Sequence, residues 1–346
     1  MSMFSPRYNI TNHLLANIKS INTLINELNN RRFPNIVLLE LERTAREVSS
    51  YASTSIEGNP LPLTEVKKIL KSRPAYIRDS EREVINYNQA LLELNKKLKE
   101  EKVKLSLGLI LWIQKEVTNG LLPKFESGQL RKKPVVVNDP RSGQVVYLPP
   151  DENKVKSLIE DLIAFINNNK NKIDPLILAG IFHKQIAIVH PFMDGNGRTT
   201  RLATKVLLAQ MGLNTFNLFS FENYYNRNVA KYFETVGEYG NYYELEEKID
   251  FTPWLEYFTE GIIDELLRIS ELLPELGITP ETKLEPYHLK IVEFIKKKGF
   301  ITNRDYAKIV KRARSTRALD FQKLIDLEII KRRGKGKATY YILKEE

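Results

Sequence analysis

Apolar residues recur three and four positions apart through most of this chain, and the recurrence stops at clusters of Pro, Gly and Asn. The spacing predicts helices over residues 12–29 and 34–57, the second rich in Leu, Val and Ala and halted by Gly58-Asn59-Pro60. Helices over 63–71, 81–98 and 105–119 follow. The pattern then changes. Residues 129–148 are rich in Val and Tyr and hold the turn cluster Asp139-Pro140-Arg141-Ser142-Gly143, which predicts a β-hairpin ending at Pro149-Pro150. A helix over 152–168 comes next, then one starting at Asp174-Pro175 whose run Leu176–Val189 is apolar except for His183, Lys184 and Gln185. That helix should be largely buried. A further helix runs from near Arg198 to Gly212, and a last core helix spans 253–273. The expected class is all-α, a mainly helical core with one small hairpin, and a lone hairpin is weakly stable unless it packs against something.

The densest chemistry lies between two of these helices, in His190-Pro191-Phe192-Met193-Asp194-Gly195-Asn196-Gly197-Arg198-Thr199-Thr200-Arg201. Pro191 turns the chain, and Gly195 and Gly197 permit backbone conformations that let successive N–H groups face inward as an anion nest. The helix that follows points its positive end at the same loop. Arg198 and Arg201, three apart, share a helix face and can both reach a polyphosphate. Asp194 beside the nest suits a hard cation such as Mg²⁺, and a neutral His190 suits a general base. This is the chemistry of a nucleotide site.

The string fills every fixed position of His-x-Phe-x-Asp/Glu-Gly-Asn-Gly-Arg-x-x-Arg, and so resembles the signature of the Fic (filamentation induced by cAMP) family. The resemblance implies a Fic-type core and transfer of AMP from ATP to a hydroxyl side chain of a target protein. It assigns His190 as the base, Asp194 as the Mg²⁺ ligand bridging α- and β-phosphates, and Gly195, Asn196 and Gly197 as the anion hole. Arg198 would contact the phosphates and Arg201 the γ-phosphate, while Phe192 anchors the loop in the core.

Three other stretches take on meaning beside that signature. Ser53-Thr54-Ser55-Ile56-Glu57-Gly58 resembles the family's inhibitory motif Ser/Thr-x-x-x-Glu-Gly/Asn, which implies that Ser53, Glu57 and Gly58 form a brake in which Glu57 pairs with Arg201. A carboxylate matched to an arginine competes directly with an anionic ligand. The hairpin stands where the family carries its flap, so by resemblance Val145, Val146, Tyr147 and Leu148 form the edge that takes up a target segment by strand addition. Residues 223–239 are dense in Tyr, Asn and Phe and could wall an adenine ring; Asn228 and Tyr232 are the adenine-pocket candidates, with an aromatic core helix as the alternative. His183 reads as a packed histidine, not a metal ligand, since His190 is its only near neighbour of that type.

Charge separates off the end of the chain. Of a net +10, about +9 lies from Leu284 onward, with 17 Lys and Arg against 8 Asp and Glu. This tail reads as helix 286–297, a short helix from Ile301-Thr302-Asn303-Arg304 to Val310, helix 315–327, and a hairpin 329–343 tipped by Gly334-Lys335-Gly336-Lys337. It looks like a winged helix-turn-helix domain, and its basic helix and wing suit phosphate contacts on DNA, although such domains also dock proteins. The expected domains are 1–60 with the inhibitory motif, the catalytic core 61–273, a linker 274–283 and the winged helix 284–346. The chain has no cysteine, which excludes disulfides, thiol catalysis and Cys-based zinc sites. No apolar run approaches a membrane span, and the start MSMFSPRYN lacks a signal-peptide layout, so a cytoplasmic protein with no membrane partner is expected. No P-loop string is present.

Two functional classes remain open at this stage. One is a protein adenylyltransferase using Mg-ATP on a Tyr, Thr or Ser hydroxyl of a target protein, with a bifunctional variant that also removes AMP. The other is a winged-helix DNA-binding regulator whose Fic-like body is a nucleotide-sensing or toxin/antitoxin-type module. Either is compatible with a homodimer.

Overall fold

The computed structural model describes residues 4–30, 35–72, 76–100, 103–138, 143–210, 212–213, 217–272, 284–327, 329–334 and 336–344. The expected linker 274–283 and the turn residues 139–142 lie outside them. The chain divides into two compact units, one of residues 1–31 and 41–272, the other of residues 32–40 and 273–346.

Among the described residues, twelve α-helices precede the tail: α1 (Asn12–Asn30), α2 (Asn35–Ile56), α3 (Leu63–Ser72), α4 (Asp79–Lys99), α5 (Leu107–Val117), α6 (Glu152–Asn169), α7 (Pro175–Val189), α8 (Asn196–Gln210), α9 (Glu222–Arg227), α10 (Val229–Val236), α11 (Tyr242–Leu245) and α12 (Thr252–Leu272). The helix α7 is the axis. Its sequence is apolar on every face, so it is buried all round, and it packs on α8, α6 and α12. Asp174 caps its start by accepting from the Leu176 amide at 2.8 Å, with Pro175 in the first turn. Trp254 on α12 donates to the Gly180 carbonyl at 2.8 Å, which fixes the two helices at close range.

Where the structure departs from the sequence expectation, the cause is tertiary. The hairpin is part of a larger sheet: β1 (Val137–Asn138) pairs antiparallel with β2 (Val145–Leu148), and β2 pairs parallel with β3 (Gly240–Asn241). Residues 129–136 are not strand. The aromatic stretch 223–239 is two short helices, α9 and α10, broken at Asn228, whose side chain caps α10 by accepting from the Lys231 amide. The helix expected from Arg198 begins at Asn196, so Gly197 is helical and Gly195 alone of the pair has positive φ, +79°.

The tail builds α13 (Pro286–Lys298), α14 (Asn303–Ile309), α15 (Arg314–Asp326), β4 (Ile330–Arg333) and β5 (Tyr340–Leu343), the last two antiparallel, with Ile301 bridging Tyr341 as a third strand position. Its own core includes Ile291, Ile295, Tyr306, Phe321 and Leu324. Asp320, buried in that core, accepts from Tyr306 Oη at 2.7 Å and is ion-paired to Arg312 at 2.9 Å. No helix among the described residues is long and apolar enough to cross a membrane.

Candidate active site

Helix α7 ends by force at His190, which sits in the left-handed region (φ 49°, ψ 61°) with its amide still bonded to Ile186 O at 2.9 Å. For a residue with a Cβ this costs on the order of 1–2 kcal/mol, so the surroundings must hold it. The loop beyond is closed by Asn196. Its Oδ1 accepts from the Phe192 amide and its Nδ2 donates to the Phe192 carbonyl, both at 2.9 Å. Phe192 is fully buried, as an anchor must be. Gly195 is needed twice over: its φ is positive, and a Cβ there would stand 2.8 Å from Thr118 Cγ2.

The first turn of α8 carries both arginines into the interior. Arg198, 2 % exposed, donates to Asp194 Oδ2 at 2.8 Å and lies 3.3 Å from Glu83 Oε1. Its Nε is buried without a hydrogen-bond partner. A buried guanidinium with an unmet donor is a poor structural element and a good anion receptor. Asp194 is half exposed.

Arg201 is saturated instead. Its Nε donates to Ser53 Oγ at 2.8 Å, Nη2 to Ser53 O at 2.8 Å and to Glu57 Oε1 at 2.7 Å, and Nη1 to Tyr232 Oη at 3.4 Å. Burial alone would lower its pKa; the attraction of Glu57 and the facing Tyr232 and Tyr87 hydroxyls outweighs that, and the net shift is upward. Glu57 reaches it because α2 stops at that residue. The Asn59 amide bonds Thr54 O at 3.2 Å, the Gly58 amide bonds Ser55 O at 2.9 Å, and Gly58 has φ +91°, a Schellman termination with Glu57 as its C-cap. The Glu57 carboxylate then lies directly over Gly197, where a Cβ would overlap Oε1.

One cleft joins these parts. Its polar end is lined by Glu57, His190, Asn196, Gly197 and Thr200, its other end by Tyr232, Phe233, Val236 and Tyr239, with β1 and β2 along the side. His190 opens into this cleft, and desolvation pushes its imidazole down from 6.5 to about 4, against a backbone hydrogen bond at Ala187 and the charges of Glu57 and Asp194, which pull upward, while Arg131 pushes down. It is neutral at physiological pH, as a base must be. His183 is packed among aromatic rings with Nδ1 on Thr204 Oγ1 at 3.1 Å and Nε2 on Tyr232 Oη at 3.2 Å. Its pKa is lowered well below the ordinary value, by burial first and by Arg201 second.

The structure thus gathers Ser53, Glu57, His190, Asp194, Gly195, Asn196, Gly197, Arg198, Arg201 and Tyr232 around one cleft or its immediate support. Gly58 acts through the helix stop. Asn228 is brought elsewhere: it is exposed and does not line the cleft. Of the four residues expected to form a free edge, Tyr147 and Leu148 pair with Gly240 and Asn241 on the β3 side, and Tyr147 is 2 % exposed. Val146 and Tyr147 line the cleft, and Val145 and Leu148 face outward. Sequence reasoning did not single out Glu83, Arg131 or Lys184. Each is one charged residue among many; burial marks Arg131 and Lys184, and an ion pair with Arg198 marks Glu83.

Two buried arginines on the first turn of α8, and the His190 that precedes it, mark a helical core whose polar groups concentrate at one helix N-terminus. Residues 104–208 match the family model described as Fic/DOC. Among curated relatives, the protein adenylyltransferase Fic of Drosophila grimshawi is 28 % identical over 182 residues, 51 % of this chain and 36 % of that protein. The protein adenylyltransferase fic-1 of Caenorhabditis elegans is 30 % identical over 200 residues, 56 % of this chain and 38 % of that protein. The chain therefore spans little more than a third of the length of these relatives. Among solved structures, a Fic family protein from Desulfovibrio desulfuricans G20 superposes with a TM-score of 0.64 over 99 % of both chains at 19 % identity. Fic-1 of C. elegans superposes with 0.59 over 75 % of this chain and 72 % of that one at 24 % identity. These two likenesses concern the fold.

Proposed function

We propose that this chain is a protein adenylyltransferase that moves AMP from ATP to a hydroxyl of a target protein and is held off by Glu57. The observation that carries the reading is the occupation of Arg201 by Glu57 beside a second buried arginine, Arg198, whose Nε has no partner. One guanidinium is paired to Asp194 and Glu83 with its Nε still unmet, and the other is engaged by Glu57. The polyphosphate would lie over the first turn of α8 between them, with the base against Tyr232, Phe233 and Val236. His190 takes the proton from the acceptor hydroxyl as its oxygen bonds to the α-phosphorus, and pyrophosphate leaves. Arg198 and the helix N-terminus hold the developing negative charge.

Among the described residues no group of three or more His, Cys, Asp or Glu could hold a metal ion by itself. The donor set does fit Mg²⁺, which commonly binds through one carboxylate, substrate phosphates and water, and Asp194 offers a half-exposed carboxylate beside the nest. Bound there, the ion would neutralise phosphate charge.

The test is to incubate the parent, Glu57→Gly and His190→Ala proteins with α-labelled ATP and a lysate. Label on protein in the Glu57→Gly sample, and its loss in Glu57→Gly/His190→Ala, is the expected result. Equal labelling, or none, in both refutes transfer.

A second reading concerns the tail, which has the element order of a winged helix. On α15, Arg314, Ser315, Ala318 and Gln322 are exposed, as are Arg304 and Lys308 on α14 and Arg332 and Arg333 on β4, while the one acidic residue at mid-helix, Asp320, is buried. That supports DNA contact through α15. Binding of the full chain to a duplex should weaken with salt and with Arg314→Ala; a shift insensitive to both rejects it.

A further inference from the structure

Arg131 sits in the run Arg131-Lys132-Lys133, where a solvated surface would be expected, yet it is 3 % exposed. Its guanidinium is spent on backbone carbonyls from three separate segments. Nε donates to His190 O at 2.8 Å and Nη2 to Val189 O at 3.4 Å, both at the end of α7. The same Nη2 donates to Pro150 O, just after β2, and Nη1 donates to Lys133 O at 3.2 Å, in the lead into β1. The Arg131 amide completes the set by bonding Pro191 O at 2.9 Å.

The carbonyls of Val189, His190 and Pro150 lie at or just past the ends of α7 and β2, where helix and ladder partners run out, and Arg131 donates to all three. A helix end buried without partners is costly, and here one side chain satisfies it. The residue so held is His190, the non-glycine whose left-handed backbone needs outside support. Lysine could not do the same, because a single ammonium lacks the planar fork that spans several carbonyls in fixed directions.

We infer that Arg131 is a positioning residue: its guanidinium locks the His190 backbone and ties the base to the β1–β2 sheet as one rigid piece. Resting on the transferase reading above, this means that an acceptor held along the sheet and the imidazole that deprotonates it keep a fixed mutual geometry. Arg131 touches neither nucleotide nor acceptor. Its loss therefore affects the chemical step and spares nucleotide affinity. Misplacement of a reacting group by about an ångström costs on the order of 100-fold in rate.

The experiment compares Arg131→Met and Arg131→Lys with Arg131 intact, all in full-length Glu57→Gly protein. Two quantities are read. First, transfer kcat should fall about 100-fold while the ATP dissociation constant stays within about threefold. Guanidinium ion added to Arg131→Ala should restore part of the rate. Second, the four histidines of the chain can be titrated by NMR, with His190→Ala assigning the signal. The groups facing His190 are Glu57, Arg131 and Asp194, with Arg131 lowering its pKa and the other two raising it. In Arg131→Met, which removes the positive charge, the His190 signal should titrate closer to 6.5. An unchanged His190 titration overturns the proposal, as does a rate that falls only in step with ATP affinity and melting temperature. If Glu57→Gly itself transfers nothing, the functional reading fails, and the titration still decides the role of Arg131. Should Arg131→Met not fold, Arg131→Lys carries the rate and affinity readings and Arg131→Gln the titration.

Discussion

Glu57 accepts from Arg201 at 2.7 Å while lying in the space a side chain on residue 197 would need. One carboxylate therefore closes two features of the site, the second arginine and the surface of the first α8 turn. Gly197 is required here by space, not by backbone angle. The helix stop at Gly58 sets the depth to which Glu57 enters the space over a loop distant in sequence.

Replacing Glu57 by glycine should raise ATP affinity about 10- to 100-fold, the worth of a charge-assisted hydrogen bond set returned to the ligand. AMP, which cannot reach Arg201, should gain little. Calorimetric titration of both nucleotides checks this, and equal gains would show that Arg201 is not the withheld group. The apo protein should meanwhile lose about 1–3 kcal/mol of stability, since Arg201 keeps its Ser53 bonds and loses only its charged partner.

Gly197→Ala should be destabilising in the parent and much less so in Glu57→Gly, because the new methyl collides with Glu57 Oε1. In the parent the loss should be about 2 kcal/mol, in the range for overpacking a well-filled site. A double-mutant cycle from denaturant unfolding reads the coupling. Additive effects would mean that the carboxylate is free to move aside.

Acid should weaken the protein over a defined window. An imidazole whose folded value lies below its unfolded 6.5 favours the folded state only while neutral, so its contribution is complete above about pH 6.5 and is lost as pH falls toward the folded value. For His190 that window runs from 6.5 to about 4 and is worth about 3 kcal/mol. Buried His183 is shifted in the same direction. Stability of His183→Gln and His190→Ala should fall less steeply between pH 6.5 and 4 than that of the parent. For transfer, the acid limb of kcat/KM should lie near 4, leaving activity intact at pH 5.5; a limb near 6.5 would contradict an enclosed base.

Much of the site was legible because its residues are adjacent in sequence. A base, a carboxylate, a Gly-Asn-Gly turn and two arginines within twelve positions need no tertiary information to be grouped. Glu57 was legible through its local motif and the glycine that ends α2. What stayed hidden depends on long-range contact. Arg131 lies in a basic run that looks solvated, and Glu83 is one of many helix-surface glutamates until Asn59 and Arg198 are placed against it. The third strand was equally hidden, because Gly240-Asn241 is too short to carry an alternating pattern and forms only by pairing with Tyr147 and Leu148. Asn228 misled because an amide that caps a helix and an amide that meets a base have the same sequence signal.

Lys184 gives the last prediction. It lies on α7, nearly buried, and its ammonium meets Thr235 O at 3.0 Å, Val236 O at 3.4 Å, Gly237 O at 3.3 Å and Glu238 Oε1 at 2.7 Å. Burial lowers its pKa, and Glu238 opposes that shift. The carbonyls are those at the end of α10, where a cation is favoured, and Val236, Gly237, Glu238 and Tyr239 line the cleft. Lys184→Met keeps the stem and removes every donor, so the α10 end loses its cap and that wall loosens. Affinity for ATP and AMP should fall alike, about 10-fold, because the base and not the phosphates is affected, while pyrophosphate binding is unchanged. Glu238→Gln, which leaves the carbonyl bonds in place, should have a smaller effect. Loss of pyrophosphate affinity in Lys184→Met would mean that the lysine supports the phosphate end instead, and a loss confined to ATP would remove the base from that end of the cleft.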